Sequence, residues 1–166
     1  LFTDYGYDNV GIPRNPENPF YSMPPAWNPD GEDWIDYGLG GFLRSAGYPA
    51  AVADAELGKF KVPTLRNVDR RPSADVVKAY GHNGFFKSLE DVVFFYHWRA
   101  AMDIECAGEG GMGGMGGMGM GGCEMMAGMF PPPEVDLNRT PLAMFPRMQV
   151  NNVVAFLKTL SDGYQP

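Results

Sequence analysis

The sequence predicts a mainly α domain with long loops, and three observations support this. Residues 88–102 and 149–160 carry apolar side chains at helical spacing, no stretch beyond brief pieces alternates as a strand does, and the first 49 residues are dense in Pro, Gly, Asn and Asp. At 166 residues with 45% hydrophobic content, the chain is long enough for one compact domain covering 1–166.

Turn-forming sets stand at Pro13-Arg14-Asn15-Pro16, Asn28-Pro29-Asp30-Gly31 and Gly38-Leu39-Gly40-Gly41, so little regular structure is expected before residue 50. The aromatics Phe2, Tyr5, Tyr7, Phe20, Trp27 and Trp34 of this region need cover. Either a large apolar prosthetic group or the domain's own helices can provide it. A short helix is expected over 50–57 with Gly58 as its stop, followed by extended or turn backbone over 60–68 set by Pro63.

The strongest local signal is the helix over 88–102. Ser88 followed three residues later by Asp91 is a capping start, and Leu89, Val92, Val93 and Tyr96 fall at i, i+3, i+4 and i+7. That stripe places Tyr96 on the buried face, where its hydroxyl needs a backbone carbonyl, a buried water or a metal. His97, beside Trp98 and Arg99 near the helix end, reads as an exposed or capping histidine. In the second helix Val150, Val153, Val154 and Leu157 form the stripe, and Gly163 is placed to end it.

Residues 107–130 read as a flexible Gly/Met-rich loop insertion, because repeated Gly-Gly-Met raises the entropy of ordering and leaves few side chains to bury. Cys106 and Cys123 bracket it. In an oxidising compartment they close the loop as a disulfide contributing about 3 kcal/mol on the chain-entropy view. The other reading is a soft-metal site, with Met112, Met115, Met118, Met120, Met125, Met126 and Met129 offering thioethers to Cu(I) beside the thiols. A Gly-x-Gly-x-x-Gly match at 108–113 has no strand before it and no helix after it, and is compositional.

Several functions are excluded. Thirteen Lys and Arg against twenty Asp and Glu leave a formal charge of −7, which disfavours nucleic acid and suits a cationic redox partner. The longest apolar run, 92–96, is far short of a membrane span. The start at Leu1 without a basic and apolar leader reads as a processed or truncated product. Two histidines, His82 and His97, are too few for a multi-histidine metal centre, and no His-Glu-x-x-His, Gly-x-Ser-x-Gly, Walker loop or Cys-x-x-Cys-His is present.

Four blocks in order, residues 1–16 (LFTDYGYDNVGIPRNP), 58–68 (GKFKVPTLRNV), 77–96 (VKAYGHNGFFKSLEDVVFFY) and 153–163 (VVAFLKTLSDG), with PPPEV at 131–135, resemble the bacterial di-haem cytochrome c peroxidase and MauG family. The resemblance covers nearly all of the chain except the Gly/Met loop. It implies a cytochrome c-like helical domain, the C-terminal haem domain of such a protein, beginning just after its Cys-x-x-Cys-His. Haem c is the implied cofactor, its proximal ligand lying upstream or on another chain. The implied partners are an N-terminal haem-bearing domain or chain and a redox protein, in the periplasm or at the cell surface.

Tyr96 resembles the other axial ligand of this haem, methionine in the peroxidases and tyrosine in MauG-like enzymes. A phenolate is a hard anionic donor that favours ferric and higher-valent iron, so Tyr96 points to oxidative chemistry. Arg66 resembles the family arginine near the haem propionates, with a salt bridge to an acid as its other reading. His82 resembles the histidine of the haem pocket and is expected to act by hydrogen bonding. Two departures stand out: Gly81 replaces the usual methionine, and Val77-Lys78-Ala79-Tyr80 replaces Thr-x-Pro-Tyr, which leaves the family's interdomain calcium only carbonyl donors here. Trp27, Trp34 and Trp98 read as electron-hopping sites or as packing aromatics. The competing function is a haem-less or structural subunit of a larger complex whose Met/Gly loop binds copper.

Overall fold

The computed structural model describes residues 2–70, 79–103 and 128–162. Residues 107–127 of the Gly/Met insertion, Cys106, Gly163 and Val77-Lys78 of the calcium segment fall outside them, and Cys123 with them. Among the described residues the elements run β1 (Tyr7–Asp8), α1 (Gly38–Ser45), α2 (Ala50–Asp54), β2 (Phe60–Lys61), α3 (Leu89–Ala101) and α4 (Val150–Thr159), with 3-10 turns at Pro19–Ser22, Gly31–Asp33 and Arg147–Gln149. The expected mainly α character holds. The only ladder among these residues is the antiparallel pair β1 and β2, with Tyr7 opposite Lys61 and Asp8 opposite Phe60.

Helix α3 starts as the capping pattern predicts: the Ser88 hydroxyl accepts from the Asp91 N–H at 3.0 Å. Its burial does not follow a single stripe. Leu89 and Val93 pack with Val154 and Leu157 of α4 in one core, while Phe95 and Trp98 pack with Phe86 in a second. Helix α3 is thus the wall between two cores, and its guanidinium Arg99 is buried and paired with Asp103. A helix apolar on several faces has no unique amphipathic side, so spacing alone misplaces individual residues.

Helix α1 corrects the sequence expectation. The Gly38-Leu39-Gly40-Gly41 set is its first turn, not a loop. Its exposed N–H groups are satisfied from outside the helix: Leu39 donates to the Lys59 carbonyl at 2.8 Å and Gly40 to the Glu56 carbonyl at 3.0 Å. This is possible only because Gly40 lies against the backbone that follows α2, where a Cβ would come within 2.5 Å of the Leu57 nitrogen. Gly40→Ala is expected to push α1 off α2 and lower stability by about 1–3 kcal/mol, read from the urea midpoint at unchanged slope. The expected helix over 50–57 is regular only over Ala50–Asp54 with Ala55 as its C-cap, so the expected stop at Gly58 is corrected: Gly58 (φ +78°) ends the turn that follows.

Long loops are pinned by buried asparagines. Asn9 Nδ2 donates to the carbonyls of Val135 (3.0 Å) and Leu137 (2.7 Å), and Asn83 Nδ2 donates to the Pro13 carbonyl at 2.8 Å. Each side chain replaces missing ladder bonds for two segments far apart in sequence.

Candidate functional site

Tyr96 is not on a covered face. It continues the Leu89–Val93 side of α3 one turn further along, yet it is 38% exposed, whereas Leu89 is 3% exposed and Val93 5%. The expectation of burial is corrected. Partial burial still pushes the phenol's pKa up from the ordinary 10.0, and the negative charge of Asp8 pushes in the same direction. No described residue hydrogen-bonds its hydroxyl. Asp8 itself is held in place by β1 and by the Thr140 hydroxyl, which donates to Asp8 Oδ1 at 2.9 Å. The aromatics of the same N-terminal strand region stay open as well, with Phe2 55%, Tyr5 58% and Tyr7 44% exposed.

With no hydrogen-bond partner among the described residues, the phenol oxygen is left available as a hard donor to a metal cation. The residues present therefore fit a haem iron at Tyr96. Two open recesses in the described residues, one bordered by Trp34 and Phe42 and the other by Arg14 and Tyr21, are both elsewhere.

His82 lies in a different setting. Its ring stacks on Phe60 at 3.5 Å with planes 7° apart, and its Nε2 is 3.2 Å from Glu134 Oε2. That oxygen also accepts from Asn83 Nδ2 at 2.9 Å. The backbone is exposed here but the imidazole is only 13% exposed and the Glu134 carboxyl 2%. The turn that delivers His82 needs glycine at 81, where φ is +84° and a Cβ would meet Ile12 at 3.0 Å. This accounts physically for the departure at that position.

For Glu134, burial raises the pKa, but the hydrogen bonds from His82 and Asn83 together outweigh it and hold the carboxyl below its ordinary 4.5. A lowered folded-state value stabilises the fold above the unfolded value and loses that contribution as pH falls through the folded one. Glu134→Gln is accordingly expected to cost about 1–3 kcal/mol at neutral pH. The gap between variant and parent in thermal midpoints should close as pH drops below 4.5. A gap that persisted in acid would remove the charge from the explanation.

Arg66 makes a two-pronged bond to Asp162, Nε to Oδ1 at 3.1 Å and Nη2 to Oδ2 at 3.0 Å, with its side chain 68% exposed. That bond holds Asp162 below its ordinary 3.8. The salt bridge that the sequence offered as the arginine's other role is thus formed. His97 is neither capping nor free: its half-buried ring bonds through Nδ1 to the Phe145 carbonyl at 2.7 Å, tying α3 to the loop before α4. Trp98 is buried, Trp34 packs on Phe20 at 4.4 Å, and Trp27 is 72% exposed.

No protein-family model matches the chain. Over 96 residues it is 33% identical to the methylamine utilization protein MauG of Paracoccus denitrificans, covering 58% of this chain and 20% of that protein. Over 101 residues it is 29% identical to the cytochrome-c peroxidase IdrP1 of Denitromonas iodatirespirans, covering 58% of this chain and 25% of that one. The fold matches a tyrosine-to-methionine variant of the diheme peroxidase BthA of Burkholderia thailandensis with a TM-score of 0.55 at 26% identity, over 98% of this chain and 34% of that one. The chain resembles the di-haem cytochrome c peroxidase and MauG family in both sequence and fold. It spans about a fifth to a third of the length of these di-haem peroxidase relatives. No helix among the described residues is long and apolar enough to cross a membrane.

The structure does not bring Tyr96, His82 and Arg66 into direct contact. The functional groups that sequence reasoning missed are their neighbours, Asp8, Glu134 and Asp162. Glu134 is 52 residues from His82, and no local pattern marks such a pairing.

Proposed function

We propose that this chain is the C-terminal, haem c-binding part of a periplasmic or secreted di-haem peroxidase with MauG-like oxidative chemistry. The observation that carries the reading is the Tyr96 hydroxyl on α3, partly exposed and without a hydrogen-bond partner among the described residues, in a chain similar to di-haem peroxidases. When bound, the haem supplies one-electron redox chemistry linked to peroxide reduction at a partner haem. The proximal histidine and the two thioether bonds come from residues outside this sequence, which has no Cys-x-x-Cys-His.

The chain's own residues then have defined tasks. Tyr96 would hold the iron through its oxygen, and because its surroundings favour the neutral phenol, its proton would have to leave for it to do so. Phe95 lies 6.3 Å from Tyr96 and 5.8 Å from Trp98, ring centre to ring centre, so oxidising equivalents would have an aromatic route from Tyr96 into the core. His82 works through Glu134, which fixes its ring, and Arg66 sets charge at the surface end of the site together with Asp162. A calcium ion remains part of the family-based reading, and a Cys106–Cys123 disulfide remains the reading of the two cysteines that bracket the loop.

Protein purified from its native host is expected to show a Soret band and the pyridine haemochrome spectrum of haem c. Colourless, iron-free protein from a host competent in haem attachment would contradict the assignment.

A further inference from the structure

Charge in this chain is unevenly placed. Between Arg14 and Arg44 there is no lysine, arginine or histidine, while Glu17, Asp30, Glu32, Asp33 and Asp36 lie there, so residues 15–43 carry −5 of the total −7. Within the same stretch Trp34, Tyr37 and Phe42 border an open recess of about 480 Å³ whose rim holds Asp30, Asp33 and Asp36. Phe42 is 63% exposed and Tyr37 36%, so the apolar face of α1 is left without a partner. Asp36 is occupied locally, accepting from the Gly38 N–H at 2.9 Å, whereas Asp30 and Asp33 form no ion pair among the described residues. The nearby arginines have other primary partners. Arg44 is bound to Asp54 at 2.9 Å and lies 5.9 Å over the Tyr37 ring, and Arg14, 4.4 Å over the Tyr21 ring, feels the charge of Asp33 without an ion pair to it.

Aromatic walls with a carboxylate rim that forms no ion pair among the described residues suit a long cationic side chain. A lysine lays its apolar stem along the rings, faces the ring electrons with its ammonium, and finds carboxylates at the mouth. A small anion is repelled, and a purely apolar partner leaves the rim charges desolvated without compensation. We propose that the Trp34–Phe42 recess and its Asp30–Asp33 rim form the docking surface for a lysine-rich protein partner. The charge complementarity brings the partner in over a distance, and the exposed Phe42 face gives the contact once it arrives. The inference is independent of the haem assignment and concerns a face on which Tyr96 does not lie.

The test uses a capped tetralysine peptide as probe, with Trp fluorescence and backbone NMR shifts as readouts. Binding is expected to shift resonances of residues 30–42, to weaken by about tenfold in Asp30→Asn/Asp33→Asn, and to fall steeply when salt rises from about 20 to about 300 mM. Phe42→Ala is expected to weaken it as well, by about threefold to tenfold, at unchanged circular dichroism. Equal binding by parent and both variants would overturn the proposal, because the peptide would then read only the net charge. A single lysine amide binding as tightly as tetralysine would overturn it in favour of a small organic cation. Self-association of the parent that Phe42→Ala abolishes would overturn it in favour of a second copy of the chain.

Discussion

Phe95→Ala is expected to lower the unfolding free energy by about 3–5 kcal/mol. Phe95 is 0% exposed and sits at the centre of a ring cluster, 5.0 Å from Phe86, 5.2 Å from Phe130 and 5.8 Å from Trp98 between centroids. Removing it leaves a cavity that three other rings cannot fill without leaving their own packing. Phe86 belongs to the loop that carries His82, and Phe130 lies just before the segment that carries Glu134, so the damage reaches the site. A small domain has only about 5–15 kcal/mol in hand, so this variant should lose a large share of its stability. Urea unfolding at neutral pH measures it, and a loss below about 1 kcal/mol would mean that the second core does not hold the domain together.

Tyr96→Phe should behave in the opposite way, with a small effect on folding and a large one on the haem. The hydroxyl forms no hydrogen bond to a described residue and the side chain is 38% exposed, so stability should change by less than about 1 kcal/mol. On the proposed reading the iron of the haem-loaded protein would lose its anionic oxygen donor, and its ferric absorption and paramagnetic resonance spectra should change. In Tyr96→Met the thioether should favour ferrous iron and raise the reduction potential by on the order of 100 mV, since axial ligands tune haem over roughly 0.8 V. Potentiometry of parent and variant decides this. A packing tyrosine would give the reverse pattern, with a stability loss and an unmoved potential.

Local signals in the sequence were sufficient where the structure is locally determined. The Ser88 cap, the span of α3 and the valine stripe of α4 all follow from side chains within a turn of one another. Helix α1 escaped because its glycines suppress the helical signal, and their purpose is a contact with residues 53–57 that no short pattern encodes. The burial of α3 escaped for a related reason, since Phe95 and Trp98 serve a second core formed by loops. For the proposed site, block resemblance singles out Tyr96 and His82. It does not reveal their surroundings, because the Asp8, Glu134 and Asp162 carboxyls arrive from distant segments.

The most direct test is resonance Raman spectroscopy of the ferric, haem-loaded protein grown with ring-deuterated tyrosine. A tyrosinate bound to iron gives ring and iron–oxygen modes that move on labelling, and these should be present in the parent and absent from Tyr96→Phe. If the haem-loaded parent shows no label-sensitive modes, or shows them equally in the variant, Tyr96 is not the iron's ligand and the assignment falls.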